Sequence, residues 1–130
     1  MNKLLKVLLY VWQLPQNLLG LLVKAIYKED FFLFYGGKRI SVCTKVNGGV
    51  SLGETIIVGK YPFSKDQWND VRHECGHAKQ SLYLGPLYLI IVGIPSALWG
   101  LLYKQDPDNP NGYFKFYTEK WAEKLGNVQR

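Results

Sequence analysis

A long uncharged stretch runs from Val7 to Val23 near the start of the chain. Its middle is polar, and polar groups are costly at the centre of a bilayer, so we do not predict a straight membrane span here. Residues 1–28 are instead expected to form two short apolar helices, broken at Pro15, that lie in a membrane interface or against the protein. The middle of the stretch contains the polar residues Gln13, Gln16 and Asn17, together with Pro15.

A second uncharged stretch, Gln80 to Tyr103, is long enough to span a bilayer, for which about 20 apolar residues suffice. It is interrupted by residues that break or kink helices, namely Pro86, Gly93, Pro95 and Gly100. These residues favour a kinked or re-entrant helical hairpin at 86–103 that is embedded in or docked on a membrane. The competing interpretation is a helix buried in a soluble core.

Between the two apolar stretches, residues 31–62 have the pattern of strands. The sequence "RISVCTKV" alternates around Ile40 and Val42, and "NGG" at 47–49 is typical of a hairpin turn. The sequence "VSLGETIIVG" follows as a further strand. We therefore predict a small antiparallel sheet.

A helix is predicted over residues 64–83. Ser64 and Gln67 form an S-x-x-Q capping box at its start. One face carries apolar residues at steps of three and four, which are Trp68, Val71, Cys75, Ala78 and Leu82. The opposite face carries His73 and His77, together with Asp70 and Gln80. One face is thus expected to pack on the sheet, and the other to perform a separate task.

After the second apolar stretch, turn residues in "KQDPDNPNG" precede a short helix at 116–126, which Gly126 ends. Strands followed by helices predict the α+β class. The 130 residues are expected to form a single domain, 1–130, and a hydrophobic content of 48% excludes a disordered chain.

The net charge of +6 does not come with a nucleic-acid-binding motif, so no nucleic-acid partner is predicted. Basic residues beside apolar stretches suit an anionic membrane surface better. Two cysteines make no disulfide framework, which indicates a reducing compartment. Lys6 interrupts the apolar core of a would-be signal peptide, and no small-residue cleavage site follows. We therefore expect a membrane-associated protein at the cytoplasmic face, not secreted by a cleaved signal peptide.

The segment "HECGH" at 73–77 matches the H-E-x-x-H pattern. Histidines four residues apart present two imidazoles on one helix face, close enough to bind one Zn²⁺ ion. Glu74 then projects beside the metal without ligating it and can take a proton from the bound water. The alternative is two histidines on an ordinary helix without a metal.

Zinc needs a third protein ligand, which cannot be histidine because the chain has only two. The downstream carboxylates are Asp106, Asp108, Glu119 and Glu123. The two aspartates lie in a proline-containing turn and are more typical of loop residues. Glu119 and Glu123 share a helix face, so one can ligate while the other hydrogen-bonds a ligating histidine. Asp70 is a further candidate for such a supporting contact.

The chain resembles the gluzincin class of zinc metallopeptidases, which pair an H-E-x-x-H helix with a later glutamate, often within E-x-x-x-D. Here "HECGH" matches fully and "TEKWAE" gives E-x-x-x-E, with Glu123 in place of the usual aspartate. It also resembles a group of short, poorly characterised bacterial zincin-like proteins through "HECGHAKQS", "GPLYLIIVGIPS" and "TEKWA", over residues 73–126. The resemblance implies a minimal zincin-like domain with His73, His77 and Glu119 as zinc ligands and Glu74 as catalytic base.

The sequence therefore predicts a membrane-associated zinc-dependent hydrolase, most simply a metallopeptidase that cleaves a peptide bond in a peptide or protein substrate. A partner chain or a second copy could complete so small an active site. One alternative is a non-catalytic, membrane-associated zinc-binding or scaffold protein, which would have no use for Glu74. A peptide deformylase would use an upstream cysteine such as Cys43, but the other motifs of that family are missing.

Overall fold

The computed structural model describes residues 2–130, apart from the side chain of Asp66; Met1, at the start of the predicted segment 1–28, lies outside the described residues. Helices and a four-stranded sheet form an α+β fold, which confirms the predicted class. The α-helices are α1 (Lys3–Trp12), α2 (Leu14–Ile26), α3 (Lys65–Leu84), α4 (Ile94–Leu102) and α5 (Tyr117–Leu125). The strands are β1 (Phe31–Tyr35), β2 (Lys38–Val42), β3 (Gly49–Leu52) and β4 (Thr55–Val58).

The sheet is mixed, with strand order β1-β2-β4-β3, so the prediction of a purely antiparallel sheet is wrong. The outer pairs β1–β2 and β3–β4 are antiparallel, but the central pair β2–β4 is parallel. The predicted hairpin turn at 47–49 is also wrong, because β2 does not pair with β3. All four residues of β4 are buried, and this strand takes the central place beside β2, which leaves β3 at an edge of the sheet.

Helix α3 begins where the capping box predicted. The Ser64 hydroxyl accepts a hydrogen bond from the Gln67 backbone N–H, and the Gln67 side chain accepts one from the Ser64 backbone N–H. Its apolar stripe packs on the sheet as expected, with Val71, Cys75 and Ala78 in the core. The sheet contributes Ile40, Val42, Ile56 and Val58 to the same cluster. The opposite face of α3 packs against α5.

The N-terminal segment forms the two predicted helices, but the break lies at Gln13, and Pro15 is the second residue of α2. Burial along this segment is the reverse of that in a soluble amphipathic helix. Gln13, Gln16 and Asn17 are almost completely buried, whereas large apolar side chains of both helices are exposed. Hydrogen bonds fix the buried side: the Gln16 amide donates to the Ser81 hydroxyl (2.8 Å) and to the Gly85 carbonyl (2.8 Å).

The second apolar stretch is not one straight helix. After α3 the chain forms a 3₁₀ turn at Gly85–Leu87, a π-helical turn at Leu89–Gly93 and then α4. Breaks fall beside Pro86 and between Gly93 and Pro95, as the sequence predicted, but Gly100 lies inside α4 and does not interrupt it. Within residues 2–130, no helix combines the length and the hydrophobicity that crossing a membrane requires.

Candidate metal centre

Three side chains from two helices converge at the interface between α3 and α5. The Nε2 atoms of His73 and His77 are 3.1 Å apart, and Glu119 Oε1 lies 3.4 Å from each of them. His73 and His77 are each 5% exposed, and Glu119 is 2% exposed. The structure thus brings together the three residues that the sequence and the resemblance had indicated as ligands.

The outer nitrogen of each imidazole has an acceptor that fixes its tautomer. His73 Nδ1 lies 2.7 Å from Glu123 Oε2, and a carboxylate can only accept, so Nδ1 carries the proton. His77 Nδ1 lies 2.6 Å from Gln80 Oε1. The Gln80 amide nitrogen donates to the Thr118 carbonyl (2.9 Å), so its oxygen must face His77 and accept from it. Both Nε2 atoms are therefore directed inward as potential metal ligands.

The two oxygens of Glu119 are divided between the centre and its surroundings. Oε2 accepts hydrogen bonds from the hydroxyls of Ser96 and Thr118, each at 2.7 Å. Oε1 faces the two histidines and accepts from the Tyr113 hydroxyl at 3.1 Å. The carboxylate is held from three directions, so Oε1 is the atom available to a metal ion. Burial, together with the negative charge of Glu119, raises the pKa of Tyr113.

The spacing of these three atoms fits one small tetrahedral ion. An ion with bonds of about 2.0–2.1 Å separates its ligand atoms by roughly 3.3 Å, and the three separations here are 3.1, 3.4 and 3.4 Å. Two imidazole nitrogens and one carboxylate oxygen are a donor set that zinc commonly takes. Within the described part of the chain the group holds three ligand side chains, which leaves the fourth position of such an ion to water.

The pKa shifts of His73 and Glu119 show that this group favours positive charge on the histidine and negative charge on the carboxylate. Burial alone would lower the pKa of His73, but its hydrogen bonds to Glu119 and Glu123 outweigh this and raise that pKa to about 10. Burial would likewise raise the pKa of Glu119, but hydrogen bonds from the two histidines hold that pKa far below its usual range.

Glu74 lies beside the group and outside it, against the edge strand β3. Its carboxylate packs on the backbone of Gly49 so closely that a Cβ at position 49 would be 2.6 Å from Glu74 Oε2. Burial raises the pKa of Glu74, while the charges of His73 and His77 lower it. The Glu74 carboxylate therefore occupies space that a side chain at position 49 would fill.

The other candidates from the sequence lie outside the group or one layer further from it. Of the two helix carboxylates, Glu119 and Glu123, the sequence allowed one to be a ligand and the other to hydrogen-bond a ligating histidine. Glu123 makes the second kind of contact, with His73. Asp70 contacts neither histidine; it faces the Arg130 guanidinium (3.8 Å), which in turn binds Glu123. Cys43 is buried at the end of β2 and is not part of the group, so the cysteine ligand of the deformylase alternative has no counterpart here.

Sequence reasoning missed four residues that support the ligands, namely Gln80, Ser96, Tyr113 and Thr118. Gln80 was placed on the correct helix face, but no contact with His77 was inferred. Ser96 and Tyr113 were not connected with Glu119. The i, i+3 spacing of His77 and Gln80 on one helix was a usable signal. The Ser96 contact joins α4 to α5, which a single sequence does not indicate. Tyr113 lies closer in sequence to Glu119, but it precedes α5, so helix periodicity does not relate the two residues.

Comparison with known proteins adds no relative. No family model, no curated protein and no solved structure matches this chain.

Proposed function

We propose that this protein is a membrane-associated, zinc-dependent hydrolase, and that its substrate bond is a peptide bond. The observation that carries the proposal is the position of three buried ligand atoms at the mutual spacing of a tetrahedral zinc site, with the Glu74 carboxylate beside them. His73, His77 and Glu119 would hold the ion. A purely structural zinc site closes with a fourth protein ligand, whereas a catalytic site keeps that position open.

When bound, zinc lowers the pKa of a water molecule and polarises a carbonyl group. The residues of the chain do the rest. Glu123 and Gln80 hold the imidazoles in the tautomer that ligates, and Ser96 and Thr118 orient the Glu119 carboxylate. Glu74 accepts the proton of the attacking water and passes it to the leaving amine. Burial raises the pKa of Glu74, which suits a group that must accept a proton near neutral pH.

The choice of a peptide bond is supported by the edge strand next to Glu74. An extended peptide can add to an exposed sheet edge through main-chain hydrogen bonds. Strand β3 lies at an edge of the sheet, where the Ser51 carbonyl already accepts a hydrogen bond from the Tyr88 hydroxyl (2.9 Å). The free part of this edge is its start, where Gly49 is exposed and touches the Glu74 carboxylate. A cleft of about 330 Å³, lined in part by Asn47, Gly48 and Asp70, opens beside this point. A peptide lying along β3 would place a carbonyl group near Glu74.

Membrane association is supported by exposed apolar residues near the metal centre. Helix α4 contributes Ser96 to the Glu119 carboxylate from one side. Its other side exposes Ile94, Leu98, Leu101 and Leu102. A helix with exposed aliphatic side chains and no charge is suited to an interface with lipid.

The zinc content of purified protein tests the metal part of the proposal. We expect about one zinc per chain for the wild type and near-complete loss for Glu119→Ala, because two imidazoles alone hold zinc weakly. Glu54→Ala is the matched control, since Glu54 is an exposed carboxylate in the β3–β4 turn. Wild-type protein that binds no zinc after resupply with metal would contradict the proposal.

Activity is tested separately with Glu74→Gln. This variant should keep its zinc and lose hydrolysis of a mixed peptide library, measured by mass spectrometry, by about 10²-fold or more. A wild-type protein that holds zinc but cleaves no peptide, at a membrane surface or free in solution, would support the non-catalytic zinc-binding alternative instead.

A further inference from the structure

The α1–α2 pair presents an apolar surface with nothing packed on it in the described chain. We define the α1–α2 outer face by its exposed aliphatic residues, Leu4, Leu5, Val7, Leu8, Val11, Leu14, Leu18, Leu19, Leu21, Leu22 and Ile26. These side chains are between 38% and 65% exposed. An exposed apolar patch of this size on a protein marks a site of protein or membrane contact.

The pattern of burial in α2 is the reverse of that in an amphipathic helix of a water-soluble protein. Its buried residues are Gln16, Asn17 and Gly20. They are fixed to the body of the protein by hydrogen bonds: Gln16 donates to Ser81 and Gly85, and the Asn17 carboxamide oxygen accepts from the Glu54 backbone N–H (2.7 Å). Gly20 fits against Thr55, where a Cβ would be 2.7 Å from the Thr55 hydroxyl oxygen. The polar side is thus the attached side, and the apolar side is turned outward by the packing.

Helix α1 has no buried residue at all, although it consists mainly of leucine and valine. Lys3 and Lys6 share one side of α1, and leucine and valine cover the other sides. An amphipathic helix of this kind is suited to lie in a membrane interface. Its end is anchored to the body through Trp12, whose indole N–H donates to the Leu82 carbonyl (2.8 Å) and whose ring lies against Gly85. This anchor holds α1 in place while its other sides stay uncovered.

We propose that the α1–α2 outer face docks in the plane of an anionic lipid bilayer. Apart from Trp12 at the end of α1, which is 46% exposed, the face is aliphatic. Protein–protein interfaces are instead enriched in aromatic residues, Met and Arg and depleted in Lys. Lysines stand at its two ends, with Lys3 and Lys6 on α1 and Lys24 and Lys28 at the end of α2 and after it. Long lysine side chains reach from an apolar surface to phosphate groups, and anionic lipids attract them. Both helices are too short to cross a bilayer, so they lie along its surface.

This docking rests on the membrane association in the proposed function and specifies its surface and its lipid, but it needs neither a metal nor hydrolase activity. The test is co-sedimentation of the full chain with phosphatidylcholine vesicles that contain about 30% phosphatidylserine or none. We expect binding to the anionic vesicles and weaker binding to the neutral ones, with the difference reduced at high salt. The double variant Leu8→Gln with Leu22→Gln should lower partitioning by at least about tenfold, because two exposed aliphatic side chains no longer enter the lipid.

The matched control is Phe34→Gln with Phe63→Gln, which removes two exposed apolar side chains elsewhere. It should leave vesicle binding within about twofold of the wild type. Substitution of Lys3, Lys6 and Lys24 by Gln should remove the preference for phosphatidylserine and keep part of the binding to neutral vesicles. Far-ultraviolet circular dichroism checks that each variant is folded.

Equal vesicle binding by the wild type and the Leu8→Gln, Leu22→Gln variant would overturn the proposal. A second outcome would also overturn it: the wild type does not bind vesicles and is a dimer in analytical ultracentrifugation, whereas the Leu8→Gln, Leu22→Gln variant is a monomer. The α1–α2 outer face would then pair with a second copy of the chain. The His73→Ala variant, which cannot hold zinc normally, should bind vesicles like the wild type, so failure of the zinc proposal is distinguishable from failure of this one.

Discussion

Gly76 lies directly against Ala122: a Cβ at position 76 would be 1.9 Å from the Ala122 carbonyl oxygen. A second contact of the same kind occurs at Gly126, where a Cβ would be 2.0 Å from the Arg72 carbonyl oxygen. Helices α3 and α5 therefore touch backbone to backbone. This distance determines whether Glu119 on α5 reaches the histidines on α3.

We expect Gly76→Ala to separate the two helices and to destroy the metal centre. The variant should lose most of its zinc and about 1–3 kcal/mol of unfolding free energy, as overpacking of a tight contact does. Gly100→Ala is the control, since the nearest atom to a Cβ there is 3.6 Å away. That change should be neutral or stabilising by up to about 1 kcal/mol, because alanine favours the helix. Zinc content and urea unfolding measure both effects, and a Gly76→Ala variant with full zinc would refute the explanation.

The supporting contacts of the histidines should affect metal affinity without being ligands. Gln80→Leu removes the acceptor of the His77 Nδ1 proton, and Glu123→Gln weakens the acceptor of the His73 proton. Each change is expected to lower zinc affinity by about 10–100-fold. Competition with a chelator measures the loss, and Glu54→Gln serves as the neutral control. Unchanged affinity in both variants would mean that the tautomers are fixed in another way.

Metal removal should make the protein markedly less stable. His73 and Glu119 are distant in sequence, and the fold joins them, so a zinc ion held by both would bind the folded state and not the unfolded chain. At a free zinc concentration of about 100 times Kd, binding adds about 2.7 kcal/mol to the free energy of unfolding. For a domain of this size, that is a rise in Tm of roughly 10 °C. Differential scanning calorimetry with zinc and with a chelator tests this, and His77→Ala should show no difference between the two conditions.

Zinc uptake should release a proton from His73. Its folded pKa of about 10 lies above the ordinary value of 6.5, so the metal-free protein holds this proton at neutral pH. The proton stabilises the metal-free fold fully below pH 6.5, and this stabilisation is lost as the pH rises through 10. Because zinc takes the place of the proton, its affinity should rise with pH in the same range.

Calorimetric titration in buffers of different ionisation enthalpy counts the released protons. We expect about one per zinc at pH 7.5 for the wild type. Glu123→Gln removes one of the two carboxylates whose hydrogen bonds raise the pKa of His73, so this variant should release fewer protons. Release of no proton by the wild type would show that the metal-free His73 is neutral.

Gly49→Ala should separate catalysis from metal binding. The new Cβ would overlap the Glu74 carboxylate and displace it, while the three ligand atoms lie elsewhere. We expect full zinc content and a loss of peptide hydrolysis that approaches that of Glu74→Gln. Gly48→Ala is not a suitable control, because Gly48 has a φ of 86° and alanine there would be strained. Ser51→Ala, in the same strand as Gly49, is the control. Full activity of Gly49→Ala would exclude the assigned position of Glu74.

Short-range signals in the sequence predicted the correct structure. The Ser64–Gln67 capping box placed the start of α3, and the i, i+4 spacing of His73 and His77 placed both imidazoles on one face. These features depend on residues within one or two helical turns, where local geometry decides. The α+β class followed from the same periodicities. The assignment of Glu119 came from a resemblance, since spacing alone left Glu119 and Glu123 equivalent.

Long-range pairing was not predictable in the same way. Strand β4 lies between β2 and β3 in the sheet, although β3 precedes β4 in the sequence. The local sequence "NGG" does not distinguish a hairpin from a crossover connection. The orientation of α2 was missed for another reason. Hydrophobic periodicity assumes that the apolar side is buried, and here Gln16 and Asn17 occupy the buried side because partners at Ser81, Gly85 and Glu54 satisfy them.

The polar attachment of α2 has a consequence for which mutations the protein tolerates. In saturation mutagenesis, Leu18, Leu19 and Leu22 should accept most other aliphatic residues, because these exposed positions require only an apolar side chain. Gln16 should accept almost nothing, because no other side chain supplies both of its hydrogen bonds in the same volume. The usual signature of a helix is therefore inverted: its permissive positions are hydrophobic, and its intolerant positions are polar.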